Sequence, residues 1–210
     1  MKIKVCGLAD ANSINNIAEM YPDWMGFIFY PKSLRYVYHL WDENTLKDIL
    51  ATVSVPKVAV FVNETKENII SIVNRLGIDT VQLHGEEDIA FCKQLQDNGL
   101  RVIKTFRIHP DFDWDSTEAF LPYCNLYLFD TYTPEYGGSG KTFDWHLLHQ
   151  YVHKKHFLLS GGIDIRDIEK IVKLDHPMLH GIDINSKFEI SPGIKDENKV
   201  FLAIQKIRNI

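Results

Sequence analysis

The chain has 210 residues, of which 45% are hydrophobic, and its formal net charge at pH 7 is −5. A chain of this length suits one domain, which would bury roughly 70% of the surface that the unfolded chain exposes. The acidic balance argues against a general nucleic-acid binder, which normally carries a basic patch, and the scattered Lys and Arg residues indicate no membrane-surface helix.

The N-terminal residues 1–6 alternate between charged and apolar side chains. A signal peptide needs an apolar stretch after its basic start, and none follows here. No apolar run approaches the ~18 residues of a membrane-spanning helix. Three widely spaced cysteines do not make a disulfide framework. We therefore expect a free-standing cytoplasmic protein that makes no membrane contact.

Short apolar runs alternate with amphipathic stretches along the whole chain. The predicted strands are residues 3–5, 25–29, 57–62, 80–83, 102–106, 126–129, 157–159 and 181–184. Several are continuously apolar, which is typical of parallel strands covered on both faces. Helical patterns lie between them, for example Ile69, Ile72, Val73 and Leu76, and again Val200, Phe201, Ile204 and Ile207. A fifth helix is expected somewhere in residues 114–120.

Eight strand–helix units of roughly 26 residues each predict a single (β/α)8 TIM barrel, an α/β fold, over residues 1–210. A closed ring leaves no exposed edge strand, whereas an open doubly wound sheet is the alternative on periodicity alone. The sequence has no Pro/Ser linker, low-complexity tract or internal repeat, which favours one domain.

Active sites of such barrels lie at the carboxyl ends of the strands. The polar or reactive residues there are Cys6, His84, Asp130, Ser160, Gly161, Gly162, Asn185 and Ser186, with Asp183 inside the last strand. Structural interpretations stay open for three of them: a buried core thiol at Cys6, a turn or cap carboxylate at Asp130, and a hydrogen-bonded rim histidine at His84. Cys92 and Cys124 are expected to be structural.

Gly161 and Gly162 follow the seventh strand, where backbone N–H groups can approach an anion closely with the next helix N-terminus behind them. Asn185 and Ser186, after the eighth strand, can donate further hydrogen bonds. Loops seven and eight often form a phosphate site in this fold. The sequence therefore predicts a small phosphorylated ligand.

The segment 132–141 has three glycines in four residues, which fits either a mobile lid or a plain flexible loop. Its glycine spacing is not that of nucleotide hydrolases. Nine histidines occur without HxH or HExxH spacing, and His153 and His156 lie in a Lys-rich stretch typical of a surface. No metal and no cofactor are predicted.

A family likeness is carried by residues 4–8, 26–33 with 35–36, 60–63, 81–85, 129–131, 137–141 with 143–145, 159–163, and 192–193 with 195–196. These segments occur in the order found in phosphoribosylanthranilate isomerases, and the chain resembles that family over nearly its whole length. The resemblance implies the isomerase of tryptophan biosynthesis, which converts N-(5-phosphoribosyl)anthranilate into 1-(2-carboxyphenylamino)-1-deoxyribulose 5-phosphate by an Amadori rearrangement.

The resemblance also implies residue roles. Cys6 matches the general base, Asp130 the general acid, and Arg35 the residue that holds the anthranilate carboxylate. The residues implied in the pocket wall and the phosphate loops are His84, Asp183, Gly161, Gly162 and Ser186.

Charge sets a constraint on this chemistry, because the phosphate and the carboxylate of the substrate both oppose a thiolate at Cys6. Their field should raise the pKa of Asp130 and so keep it protonated as an acid. The N-terminus of the first helix, near Asp10, is one candidate for stabilising the thiolate. We expect Cys6 to titrate below a free thiol, whose pKa is about 8.5, in the empty enzyme.

One position departs from the family pattern. A glycine usually follows the serine of loop eight, and here Lys187 follows Ser186. A backbone that needs positive φ would accommodate lysine poorly. Alternatively, Lys187 reaches the phosphate and adds a point charge.

Other functions stay open. The related histidine-pathway isomerase is expected to carry an aspartate at the end of the first strand, where this chain has Cys6. It is also expected to carry two similar half-barrel phosphate loops, and the sequence shows no such internal repeat. A catalytically silent barrel that only binds a phosphorylated metabolite would tolerate loss of Cys6 or Asp130, yet both are present. A monomer is expected; a dimer and a loose association with a neighbouring pathway enzyme are left open.

Overall fold

The structure is a computed structural model and describes residues 1–133 and 142–209. Parallel strands form a closed barrel in chain order: β1 (Lys2–Val5), β2 (Trp24–Ile28), β3 (Lys57–Phe61), β4 (Thr80–Leu83), β5 (Arg101–Ile108), β6 (Leu126–Thr131), β7 (Phe157–Leu159) and β8 (Leu179–Ile184). Pairing of β1 with β8, with Ile3 opposite Ile182, closes the ring. The predicted barrel is confirmed, and the open-sheet alternative is excluded. Asp130 lies within β6 rather than after it.

The α-helices are α1 (Ala11–Ala18), α2 (Glu43–Ala51), α3 (Lys66–Leu76), α4 (Ile89–Asp97), α5 (Ile168–Val172) and α6 (Glu197–Arg208). All but α5 begin at a side-chain cap, provided by Asp10, Asp42, Thr65, Asp88 and Asp196. Each of these side chains accepts a hydrogen bond from a backbone N–H group that the first helical turn leaves unpaired.

In the described residues, four connections contain 3₁₀ segments: Val37–His39 after β2, Trp114–Tyr123 after β5, Trp145–Gln150 after β6 and Ser186–Phe188 after β8. The helix expected in residues 114–120 is therefore a 3₁₀ segment. Pro122 within it has no N–H to donate, which disfavours a regular α-helix there. The segment still buries Trp114, whose ring meets Phe129 edge-on at 5.2 Å between centroids.

The helices bury one face each against the barrel. The predicted face of α3 is confirmed, since Ile69, Ile72, Val73 and Leu76 are all buried. In α6 the buried residues are Val200, Ala203, Ile204 and Ile207, whereas Phe201 is 49% exposed. The prediction for Phe201 is wrong because the apolar stripe follows i, i+3, i+4 and i+7 from Val200, and residue 201 is turned away by about 100°.

A small antiparallel hairpin, β9 (Glu189–Ser191) and β10 (Ile194–Lys195), follows β8 through the 3₁₀ turn Ser186–Phe188. The carbonyl oxygen of Gly193 accepts hydrogen bonds from the N–H groups of Ala9 and Asp10 at 3.1 and 3.3 Å. The hairpin is thereby fastened to the loop after β1. Within residues 1–133 and 142–209, no helix is long and apolar enough to cross a membrane.

Candidate active site

One cavity lies at the carboxyl ends of the strands, where the sequence predicts a site. Its lining includes every predicted site residue: Cys6, Arg35, His84, Asp130, Gly161, Gly162, Asp183, Asn185 and Ser186. The barrel brings these residues together from six of its strands or the loops that follow them. Cys92 and Cys124, in contrast, are buried in the hydrophobic core.

Asp130 is held by His84 across the top of the barrel. His84 Nε2 lies 3.1 Å from Asp130 Oδ2, and the Nε2 amide group of Gln82 donates to His84 Nδ1 at 2.9 Å. An amide nitrogen only donates, so in this network Nδ1 accepts and the proton of the neutral ring sits on Nε2. Thr105 Oγ1, 3.2 Å from Nδ1, is a further partner. His84 therefore directs an N–H group at the carboxylate of Asp130.

Cys6 lies beside a buried ion pair between Lys4 and Asp183. Lys4 Nζ lies 2.9 Å from Asp183 Oδ1, and the side chains of Lys4 and Asp183 are 0% and 5% exposed. Lys4 and Cys6 are two residues apart along the same chain direction and point to the same face. A Cβ on Gly26 would lie 2.7 Å from Cys6 Sγ and 3.0 Å from Lys4 Nζ, so the missing side chain of Gly26 leaves the space into which both groups converge.

Burial raises the pKa of the Cys6 thiol above its ordinary value; the Lys4 and Lys195 ammonium groups oppose this rise and Asp183 adds to it. The prediction that Cys6 titrates below a free thiol in the empty enzyme is thus wrong in direction, because desolvation outweighs the two cations. The compensating charges are lysines. The α1 N-terminus, the candidate from sequence, is capped by the carboxylate of Asp10.

Arg35 lines the cavity, and its guanidinium is hydrogen-bonded to the carboxylate of Glu189 in the hairpin. Arg35 Nε lies 2.9 Å from Glu189 Oε1, and Arg35 Nη2 lies 2.6 Å from Oε2. Lys195 Nζ donates to Glu189 Oε1 and to Asn185 Oδ1, both at 2.8 Å. Burial lowers the pKa of Lys195 to about 8 although Glu189 pulls it upward, whereas Arg35 and Lys195 lower the pKa of Glu189 in spite of its burial. Glu189 is therefore the anion that joins two cations.

Loop seven approaches β6 closely through its glycines. Gly161 and Gly162 have φ values of +90° and +61°, and a Cβ on Gly161 would lie 2.9 Å from Asp130 Oδ1 and clash with Thr131. A residue with a side chain could not place its backbone there. The helix expected directly behind the glycines is not found, because α5 has five residues and begins only at Ile168.

Lys187 lines the same cavity and is exposed. It lies in the 3₁₀ turn Ser186–Phe188, and its φ is not positive. The backbone of loop eight thus accommodates a lysine without strain, and the first of the two interpretations of this departure is excluded.

The predicted lid, residues 132–141, falls largely outside the described residues, of which Tyr132 and Thr133 are the last before the gap. Within the described ranges, no group of three or more His, Cys, Asp or Glu side chains is arranged to hold a metal ion.

Sequence reasoning missed the supporting residues Lys4, Gln82, Thr105, Glu189 and Lys195. Lys4 could have been found, because strand alternation puts residues 4 and 6 on one face. Gln82 follows from the same rule applied to His84. Glu189 and Lys195 had no comparable signal, since the hairpin that carries them lies outside the repeating strand–helix pattern.

The model of the N-(5'phosphoribosyl)anthranilate (PRA) isomerase family matches residues 3–206 of the chain. The chain belongs to this family. The N-(5'-phosphoribosyl)anthranilate isomerase of Parabacteroides distasonis is 42% identical to it over 99% of this chain and 93% of the relative. The family resemblance is therefore confirmed, and with it the prediction of an enzyme, an isomerase of the tryptophan-biosynthesis family.

Solved isomerase structures share the whole fold. The crystal structure of phosphoribosyl anthranilate isomerase from Thermotoga maritima matches with a TM-score of 0.87 at 32% identity, covering 100% of both chains. A second phosphoribosyl anthranilate isomerase, in complex with reduced 1-(o-carboxyphenylamino)-1-deoxyribulose 5-phosphate, matches with a TM-score of 0.83 at 27% identity, again over 100% of both chains.

Proposed function

We propose that the chain converts N-(5'-phosphoribosyl)anthranilate into 1-(o-carboxyphenylamino)-1-deoxyribulose 5-phosphate, with Asp130 as general acid and Cys6 as general base. The observation that carries the proposal is that one cavity is lined both by a thiol beside a buried lysine and by a carboxylate beside a histidine. Acid and base chemistry on one substrate requires such a pair of groups with different environments.

The cavity also offers two places for the anionic ends of this substrate. Arg35, fixed by Glu189, suits the planar carboxylate of the anthranilate ring, because a guanidinium can donate two parallel hydrogen bonds to it. The glycines of loop seven, together with Ser186 and Lys187 of loop eight, suit the phosphate. The ligand of the related isomerase complex carries both of these groups.

The rearrangement balances with these two side chains alone. Protonated Asp130 gives its proton to the ring oxygen of the aminoribose, the C1–O bond breaks with its electron pair going to that oxygen, and the nitrogen lone pair forms a C1=N⁺ iminium. Ionised Cys6 then removes the proton on C2, the electron pair of the C2–H bond forms a C1=C2 enolamine, and the C1=N⁺ pair returns to nitrogen. The C2 hydroxyl next gives its proton to the Asp130 carboxylate while C1 takes the proton held by Cys6, which yields the C2 ketone and returns both side chains to their starting states. Each proton transfer contributes about 10²- to 10⁴-fold.

His84 supports the acid in this scheme. Its Nε2–H group faces Asp130 and stabilises the carboxylate that remains after the proton has left. The negative charges of the bound substrate act in the opposite direction and favour the protonated acid before the ring opens. The two influences oppose each other, which keeps the two protonation states of Asp130 close in free energy and suits a group that must first hold and then release a proton.

Turnover of N-(5'-phosphoribosyl)anthranilate by the purified protein, without added metal or nucleotide, tests the proposal. We expect Cys6→Ser and Asp130→Asn to lower kcat by about 10²-fold or more while the reduced product analogue still binds in calorimetry. Cys92→Ser, at a buried thiol of the core away from the cavity, is the matched control and should keep kcat.

Two results would contradict the proposal. If the parent binds the reduced product analogue without any turnover, the chain is a binding barrel and not a catalyst. If the parent turns over and Cys6→Ser retains its kcat, the base is another group.

A further inference from the structure

The ammonium group of Lys4 lies inside the barrel and not at its surface. It is fully buried, donates to Asp183 Oδ1 at 2.9 Å, and converges with Cys6 Sγ on the space beside Gly26. Since the two atoms lie 3.0 and 2.7 Å from the position of one absent Cβ, they are within direct electrostatic reach of each other.

We propose that Lys4 is a positioning residue for catalysis, the buried counter-cation that sets how readily Cys6 ionises, with Asp183 limiting its effect by sharing its charge. This rests on the proposed function, in which Cys6 is the base. Both residues act through the thiol, so neither needs to touch the substrate to fill this role. The Lys4 ammonium thus interacts with the Asp183 carboxylate on one side and the Cys6 thiol on the other.

The charged groups around Cys6 come from several elements. Lys4 of β1, Asp183 of β8 and Lys195 of β10 act on the thiol directly, and Lys4 has the strongest effect of the three. Lys195 is paired with Glu189 of β9, which also holds Arg35. Asp130 and His84 act on Asp183, and Lys187 lines the same cavity. Lys4 is therefore the main cation that opposes the effect of burial on Cys6.

The charges of Lys4 and Asp183 also agree with this arrangement. Burial alone would lower the pKa of Lys4, but Asp183 and Cys6 raise it above its ordinary value, so the ammonium persists in the interior. Lys4 in turn lowers the pKa of Cys6 and Asp183 raises it. Removing the two members of one ion pair should therefore shift the titration of Cys6 in opposite directions.

The experiment measures the pH dependence of iodoacetamide alkylation at Cys6 in the empty enzyme, with the Cys6 peptide quantified by mass spectrometry. Lys4→Met should raise the pH midpoint by about 1–3 units, the range expected when a charge within reach is removed. Asp183→Asn should lower the midpoint, because the whole charge of Lys4 then acts on the thiol. Cys92 and Cys124 in the same digest report any general loosening of the core.

Lys104→Met is the matched control. Lys104 Nζ is also buried and lies 2.9 Å from a carboxylate oxygen of the buried Glu87. This pair lies elsewhere in the barrel, with Lys104 in β5 and Glu87 in the loop after β4. Its loss should leave the Cys6 midpoint unchanged. If Lys4→Met does not fold, the double variant Lys4→Met/Asp183→Asn removes both charges and should titrate above the parent, but below Lys4→Met wherever that variant can be measured.

A structural role for the ion pair predicts that Lys4→Met and Asp183→Asn shift the midpoint in the same direction, and that result overturns the proposal. An unchanged midpoint in Lys4→Met, or in the double variant, does so as well. Turnover of the parent is measured separately. If the parent is inactive but the two variants shift the midpoint in opposite directions, the proposed function fails and the electrostatic assignment stands. If the parent is active and the variants do not shift the midpoint, only the role of Lys4 fails.

Discussion

Arg35 shows how one cavity-lining residue depends on others that do not line the cavity themselves. Its side chain crosses Gly7, where a Cβ would lie 2.7 Å from Arg35 Cδ, and ends on the carboxylate of Glu189. Glu189 is in turn held by Lys195. Two hydrogen bonds from a planar fork fix the orientation of the guanidinium as well as its place. The substrate would then meet a cation that has already lost its rotational freedom.

Glu189→Gln tests this dependence at the residue scale. The amide keeps the shape of the carboxylate but not its charge, so Arg35 loses its anchor and Lys195 its counter-charge. We expect KM for N-(5'-phosphoribosyl)anthranilate to rise about tenfold, which corresponds to about 1.4 kcal/mol of binding, with a much smaller change in kcat.

Glu197→Gln is the control, because Glu197 is an outer helix residue whose carboxylate binds Asn16 in an exposed position. Steady-state kinetics give KM and kcat for both variants, and Glu197→Gln should keep both at the values of the parent. A Glu189→Gln enzyme with unchanged KM and reduced kcat would place Arg35 in the chemical step and not in ground-state binding.

Lys187 gives a second prediction at this scale. Because its backbone is not in the left-handed region, replacing it by glycine relieves no strain. We expect Lys187→Gly and Lys187→Met to raise KM by the same few-fold factor, since an exposed charge contributes about 1 kcal/mol or less. The difference from the parent should shrink at high ionic strength. An unchanged or lower KM in both variants would show that Lys187 makes no useful contact with the phosphate.

The hairpin β9–β10 is the element that holds Arg35 in place. It carries Glu189 and Lys195, and its turn at Gly193 (φ +90°) rests on Ala9, with the position of an added Cβ 3.0 Å from the Ala9 Cβ. Hydrogen bonds from Ala9 and Asp10 to the Gly193 carbonyl continue this contact. The loop after Cys6 is thus fastened directly to the turn of the hairpin.

Gly193→Ala should therefore affect both stability and KM. The side chain would meet an unfavourable φ and a close neighbour at once, so we expect a loss of about 1–3 kcal/mol in the free energy of unfolding and a raised KM. Gly99→Ala is the matched control, because Gly99 has φ +81° but nothing within 4 Å of an added Cβ. Denaturant titration should show a smaller loss for Gly99→Ala, and kinetics an unchanged KM; equal effects of the two variants on KM would argue against a functional contact at Ala9.

The same elements show what the sequence could predict. Strands such as β3 were found because parallel strands covered on both faces are continuously apolar, and helices such as α3 because one face repeats every 3.6 residues. A helix was expected in residues 114–120, but the segment Trp114–Tyr123 is a 3₁₀ helix, and Pro122 within it disfavours a regular α-helix. The reactive residues were found because the barrel collects strand ends at one rim, whereas Glu189 depended on a hairpin that only the folded chain brings against Arg35.

At the scale of the whole molecule, the site depends on closure of the ring. Cys6 and Lys4 come from the first strand and Asp183 from the last, so their contacts exist only where β1 pairs with β8. In that pairing Gly181 faces Lys2, and a Cβ on Gly181 would clash with the carbonyl oxygen of Lys2. A backbone atom in a ladder cannot move aside as a flexible side chain does. Gly181 is therefore a position at which the seam of the ring has no room for added volume.

Gly181→Ala should weaken the seam between β1 and β8 before it unfolds the rest. We expect a loss of about 3 kcal/mol or more in the free energy of unfolding, above the usual cost of overpacking because the clash is with backbone. Backbone amides of β1 and β8 should exchange hydrogen faster than those of β3 and β4, which serve as the internal control. An opened ring also exposes two strand edges, so the variant should associate at concentrations where the parent does not. Equal acceleration of exchange in all eight strands would mean that the barrel opens only as a unit and that the seam has no separate weakness.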